Sequence, residues 1–447
     1  MKTISLHNAT LFFVGAYFLI AFYPLRLYVA NSYLPLGQII ILAIISCIVI
    51  LSARARLIAF DNFDNKLITI FLLFILINSF IQSLSNSSFI EFRLTSVIAS
   101  VVPIIFFYVF MFIESNDKLI RTVSRYFFIG CFFYSVYYFE SFASIRFSDI
   151  HNSATRVVGQ RDSIYLNFAL LMAIFTSYDQ KYNIKILGTI TIIFCLIVMI
   201  YSQTRMGYIL LISNLLVISF LNKKFLIYCL LPLILLFILF WIYYISEVGD
   251  VYSLMGANNV NQLDYTIARF KTILNSISAL FSSNYSLDGS MFIRFEIWKK
   301  IIGEGLSSPL KFLFGSGELG VHSIKESFTI YDKSWGTRVY PVMTSESQYF
   351  DTFFRRGLVG LIFLIILLSR LVYLSFYLIK FDYRLNHLYR TFFIGFFGVG
   401  VTFIFLPLLR DRTFALFFFV TYAILSSRAY IIKNNLKSHN KIISCEV

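Results

Sequence analysis

Phe225 to Ser246 reads FLIYCLLPLILLFILFWIYYIS, a run without a single charge, and Glu247-Val248-Gly249-Asp250 follows it at once. About 20 consecutive apolar residues cross a bilayer as a helix, so the run is read as a membrane span. Glu247 opens the one long stretch, 247–356, that does not read as membrane; it holds two of the three tryptophans and a cluster of glycines. A connection of this length with its own structure is more often functional than a linker. The rest of the chain is expected to hold it up.

On both sides the pattern is a series of apolar runs. The chain has 447 residues, 58% hydrophobic and 14% charged, with mean hydropathy +0.77, against about 25% charged residues in soluble domains. A soluble core cannot absorb that much apolar side chain. Spans are expected near 9–25, 34–52, 67–84, 94–113, 126–145, 163–178, 185–202, 206–221, 225–246, 357–379, 391–409 and 413–431. The fold class is therefore an all-α polytopic membrane protein of about twelve transmembrane helices with one large extracytoplasmic loop. Residues 1–246 form an N-terminal membrane bundle, 247–356 the loop domain, 357–431 the C-terminal spans and 432–447 a tail. The run Ala9 to Tyr23 lacks a small-residue cleavage site after it and is read as a retained first span.

Orientation follows from Lys and Arg in the short connections. One face receives Arg54, Arg56, Lys66, Lys118, Arg121, Arg125, Lys181, Lys185, Lys223, Lys224, Lys380, Arg384 and Arg390, together with Lys2 and the lysines of the tail. By the positive-inside rule this face is cytoplasmic, which puts both termini inside and the long loop outside the plasma (inner) membrane. The +15 net charge is thus a topology signal and not a nucleic-acid footprint. Cys47, Cys131, Cys195, Cys229 and Cys445 lie in or beside apolar runs or in the tail, with neither a disulfide framework nor a metal-ligand spacing among them.

The exceptions to the charge rule carry information. Short outer segments contain Arg26, Arg93, Arg146, Arg156, Arg161, Arg205, Arg410 and Arg412 and no lysine. A guanidinium presents a planar fork that binds phosphate or carboxylate through two parallel bonds, whereas an ammonium is a point charge. An outer face that keeps arginine alone points to anion recognition. The competing reading pairs these arginines with Glu91, Glu140, Asp149, Asp162 and Asp411, or with lipid phosphates.

Within the loop, Gln262 to Phe281 has Ile267, Phe270, Ile273, Ile277 and Leu280 at helical spacing, and Ser290 to Gly303 predicts a second helix. Pro309 and Gly315-Ser316-Gly317 predict a break. Thr344 to Arg356 predicts a helix leading back to the membrane.

Three sequence junctions stand together around this loop: Thr204-Arg205-Met206-Gly207, then Arg294-Phe295-Glu296-Ile297-Trp298 with its following Pro309 and Gly315-Ser316-Gly317, then Glu346 ahead of Gly357-Leu358-Val359-Gly360-Leu361. In this order the motifs resemble the O-antigen polymerases (Wzy-type) and O-antigen ligases of bacterial envelopes, a resemblance that covers the whole layout. It implies a GT-C-like, metal-independent glycosyltransferase without a cofactor. The donor is an undecaprenyl-pyrophosphate-linked oligosaccharide, whose anomeric carbon is attacked with inversion by a glycan hydroxyl. The family's essential arginines match Arg205 and Arg294. Ligases of the family usually carry a His where this chain has Glu346, which favours the polymerase reading.

Such a transfer needs stabilisation of the leaving pyrophosphate and removal of the acceptor proton. Arg205 and Arg294 fit the first requirement and Glu346 the second, making these three the catalytic candidates. Arg156 and Arg161 are further donor-binding candidates, and Trp335, Tyr340 and Tyr349 are candidates for packing on sugar faces. The competing readings are lipid-phosphate contact for Arg205, a solvated helix face for Arg294, and a helix cap or a pair with Arg355 or Arg356 for Glu346. Partners expected are the lipid-linked glycan as donor and acceptor, membrane lipids and a chain-length regulator. The alternatives are a ligase moving finished glycan to lipid A-core or protein, and a transporter (flippase) for a lipid-linked oligosaccharide. Transporters place polar, broken helices at the midplane, whereas the ionisable residues here gather at the outer interface.

Overall fold

The computed structural model describes residues 6–22, 26–29, 32–51, 62–85, 94–113, 115–148, 161–179, 182–201, 205–221, 289–317, 327–332, 336–341, 347–382 and 385–445. The helices are α1 (Leu6–Leu19), α2 (Leu36–Leu51), α3 (Phe63–Ser85), α4 (Leu94–Met111), α5 (Asp117–Ser148), α6 (Asp162–Asp179), α7 (Tyr182–Tyr201) and α8 (Arg205–Leu221). After the long connection come α9 (Gly289–Leu306), α10 (Pro309–Phe314), α11 (Gln348–Phe381), α12 (Asn386–Thr402), a 3-10 turn (Leu408–Arg410) and α13 (Arg412–Cys445). Two short antiparallel hairpins accompany them: β1 (Arg26–Val29) with β2 (Ser32–Pro35), and β3 (Ser327–Asp332) with β4 (Gly336–Pro341).

Each expected span falls on one of these helices except 225–246, which lies outside the described residues, as does the expected helix 262–281. The expected loop helix from Ser290 to Gly303 is α9. Among the described residues three helices are long and apolar enough to cross a membrane: Phe63–Ile81, Gln348–Phe381 and Arg412–Leu436. Their outward faces are apolar. Ile70, Leu73, Ile77, Phe80 and Ile81 on α3 and Ile362, Ile365 and Phe376 on α11 are exposed, as lipid-facing side chains must be.

α13 is the central helix. Its Phe417 stacks on Phe127 of α5 at 5.9 Å and on Phe396 of α12 at 5.9 Å, and meets Phe22 at 5.1 Å and Phe168 of α6 at 5.2 Å. Such ring pairs contribute about 0.5–1.5 kcal/mol each beyond the area they bury.

Two carboxylates bind the bundle at the end away from the long loop. Asp64 of α3, 1% exposed, receives Arg370 Nε at 2.7 Å, Tyr422 Oη at 3.0 Å and Ser426 Oγ at 2.7 Å. Asp382, which caps α11, receives Arg428 Nε at 2.8 Å and Tyr389 Oη at 2.8 Å, while Arg428 also reaches Asp117 at 2.6 Å. Arg370, a charge inside an apolar run, is thus a partner in an ion pair joining α11 to α3 and α13. Removing one member of a buried pair strands the other and costs about 3–5 kcal/mol. Asp64→Asn is expected to lower the thermal transition of the detergent-purified protein sharply, and an unchanged transition would show that the pair contributes nothing.

Candidate functional site

α11 begins at a clean cap and breaks early. Ser347 adopts an extended conformation and its hydroxyl accepts from Phe350 N, so the helix starts at Gln348. At Gly357 the backbone leaves the helix, with φ 63° and ψ −164°, a region open to glycine and costly for other residues. The break leaves the carbonyls of the preceding turn without their usual amide partners. Gly315-Ser316-Gly317 supplies the donors: Ser316 N donates to Phe354 O at 2.7 Å and Gly317 N to Arg355 O at 2.9 Å. Gly315 and Gly317 also have positive φ, 77° and 80°. At Gly315 and Gly357 a side chain would run into the backbone of the opposite strand, Arg355–Arg356 and Leu313–Phe314 respectively. Asn78 of α3 closes the joint by donating its amide to Phe314 O at 2.8 Å.

The turn of α11 above this joint carries the charge. Asp351 is buried and receives Arg355 Nε at 3.2 Å and Arg410 Nε at 3.0 Å, with a second Arg410 nitrogen on its other oxygen. Gln348 fixes the segment that delivers Arg410: its Oε1 accepts from Leu409 N at 2.8 Å, and its own N donates to Phe403 O at 2.7 Å. Asp411 then caps α13 through Thr413 N at 2.9 Å and binds Arg161 at 3.3 Å. Arg161, 55% exposed, keeps much of its guanidinium open to an incoming anion.

Arg356 points elsewhere. Its guanidinium lies over the Phe71 ring at 5.6 Å and donates to Ser100 Oγ at 3.1 Å. Together they edge a narrow crevice of about 40 Å³ between α3, α4, α11 and α13. Thr352 is the other polar lining residue; Ile75, Ile104, Leu367 and Phe418 are among the apolar ones. Among the described residues, this end of the bundle brings Arg161, Arg355, Arg356 and Arg410 together with the carboxylates Asp351, Asp411 and Asp162, the residue after Arg161. Clustered guanidinium groups suit an anion.

Of the residues expected from sequence, Arg205 is the first residue of α8 and Arg294 stands in α9, partly buried, one turn before Trp298. Trp298 stacks on Phe350 of α11 at 4.7 Å, so the spacing of the Arg-x-x-x-Trp motif ties the arginine to the start of α11. Tyr349 donates its hydroxyl to Gly400 O at 2.8 Å, linking α11 to α12. Tyr340 lies on β4, in register with Phe328. Arg156, Trp335 and Glu346 lie outside the described residues. The pair Arg161 with Asp411 is one the sequence offered. Asp351, Gln348 and Ser100 are the members it did not single out. The spacing of Gln348, Asp351 and Arg355, which puts them on neighbouring positions of one helix, was the available signal.

Residues 190–365 match a protein-family model described as O-antigen ligase. The match takes in the later part of α7, then α8, α9, α10 and the start of α11 with its Gly357 break. The match supports the O-antigen polymerase/ligase family without separating the two. No curated protein matches the chain.

Gly357→Ala and Gly315→Ala are each expected to lower stability by about 1–3 kcal/mol through the strained backbone alone, with the steric conflict added. Gly303→Ala, where nothing lies within 4 Å of the new methyl group, is the internal control, expected to be neutral or slightly stabilising. Thermal unfolding of the three variants in one detergent makes the comparison; equal behaviour of all three would dissolve the joint.

Proposed function

We propose that this chain polymerises undecaprenyl-pyrophosphate-linked oligosaccharide repeat units into O-antigen or a related surface polysaccharide, at the outer face of the bacterial inner membrane. The family match over 190–365, which includes Arg205, Arg294, Glu346 and Gly357 in one segment, supports glycan transfer, and Glu346, where ligases of the family usually carry a His, is the observation that favours polymerisation. The cluster of guanidinium groups at the loop end supports an anionic substrate.

In this reading the acceptor hydroxyl gives its proton to the Glu346 carboxylate and its oxygen attacks the donor's anomeric carbon from the face opposite the leaving group. The bond from that carbon to the pyrophosphate oxygen breaks, and configuration inverts. The electron pair leaves with undecaprenyl pyrophosphate, whose charge is held by Arg205 and Arg294, with Arg156 and Arg161 as further donor contacts. Each charge-assisted contact contributes about 1.5–3 kcal/mol. Metal and nucleotide take no part in this scheme. Trp335, Tyr340 and Tyr349 pack on the sugars, and a separate chain-length regulator sets the product size.

The second reading is ligation of finished glycan to lipid A-core or protein, favoured by the description of the matched family. Envelope glycolipid from cells lacking this chain separates them. Polymerase loss leaves core carrying a single repeat; ligase loss leaves no attached repeats and accumulates lipid-linked polymer. For the site, Arg205→Lys and Arg294→Lys are expected to cut polymer formation at least tenfold at unchanged membrane abundance, since an ammonium cannot reproduce the two-pronged contact. Near-normal ladders would remove both residues from the site. Glu346→Gln is expected to lower turnover more than donor binding in a purified assay, and unchanged turnover would reassign it to structure.

A further inference from the structure

The outer side of the α9–α10 corner is as apolar as its inner side. Inward, Ile297, Trp298 and Ile301 are buried against Phe350 and Phe354 of α11, and Phe312 meets Phe353. Outward, Ile302, Leu306, Leu310, Leu313 and Phe314 are all exposed, Leu306 by 64% and Leu310 by 68%. Ile302 and Leu306 are one helical turn apart, so the outward side chains form a stripe and not scattered points. An element apolar on both faces belongs in a protein interior or against lipid.

Depth decides between these. The carbonyl of Phe314, the last residue of α10, is bonded to Asn78 of α3, just before the apolar run of α3 gives way to Gln82, Ser83, Ser85 and Asn86 in the sequence. Ile81, one turn on from Asn78, is 55% exposed, and Ile77 beside it 57%. The end of α10 therefore lies at the depth of the exposed apolar side chains Ile77 and Ile81 of α3. Charge agrees with this depth: Lys299 and Lys311 edge the stripe, both exposed, and Lys311 holds Glu304 at 3.5 Å. Basic residues bordering apolar ones are the composition of an element seated at a bilayer surface.

We infer that the α9–α10 corner is seated in the interfacial layer of the bilayer, with its outward leucines, Ile302 and Phe314 among the upper acyl segments and its lysines among anionic headgroups. The occupant of this face is lipid. Because the glycine joint locks α10 to the break in α11, the lipid surface then sets the depth at which α9, with Arg294, rests over the bundle. The inference holds whichever glycan transfer the chain performs.

The test uses the full chain in proteoliposomes of phosphatidylethanolamine and phosphatidylglycerol. Leu310→Trp and, separately, Leu306→Trp add a fluorophore at exposed positions where folding does not require leucine. Emission from the parent chain, with Trp241, Trp298 and Trp335, is subtracted. Phospholipid brominated near the carbonyl end of its chains is expected to quench most of the added emission, and aqueous iodide to leave it nearly unchanged. Quenching by iodide without quenching by bromolipid would overturn the inference by placing the face in water. Protection from both quenchers would overturn it as well, because the face would then be covered by protein, either another segment of this chain or a partner.

Discussion

A helix that breaks inside a membrane protein leaves carbonyl groups that water does not reach, and some other part of the chain must supply their donors. Here the break is at Gly357 and the donors are the amides of Ser316 and Gly317. The exchange works only because neither Gly315 nor Gly357 has a side chain, so two stretches of backbone touch directly. Everything at the loop end takes its position from this joint. α10 hangs from it, α9 rests on the turn of α11 that precedes it, and Asn78 ties it to α3.

The break also separates two uses of charge along a single helix. Beyond it, Arg370 and the Asp382 cap are committed to carboxylate and guanidinium partners that hold α3, α5 and α13 in place. Before it, Asp351 gathers Arg355 and Arg410 while Arg356 turns toward Phe71 and Ser100. The carboxylates away from the loop each collect several donors from neighbouring helices, as buried charge requires. At the loop end the described arginines Arg355 and Arg410 gather on Asp351 and Arg161 on Asp411, while Arg356 donates to Ser100.

The chain by itself determined the helices. A backbone in lipid has no partner but its own, so each apolar run long enough to cross must coil, and the runs in α3, α11 and α13 read directly as spans. Motif order singled out Arg205 and Arg294, and the outer arginines and acidic residues were legible as a set from which the fold pairs Arg161 with Asp411. Tertiary structure alone decided the rest. Asp351 looked like a residue of an ordinary helix start until Arg410, far along the chain, was folded against it. Gly315-Ser316-Gly317 read only as a break, because local sequence records that glycine permits positive φ but not which distant carbonyls its amides will face. The exposed leucines of α10 gained meaning from a single hydrogen bond to Asn78, since depth in a membrane is a property of the assembled bundle and not of a six-residue helix.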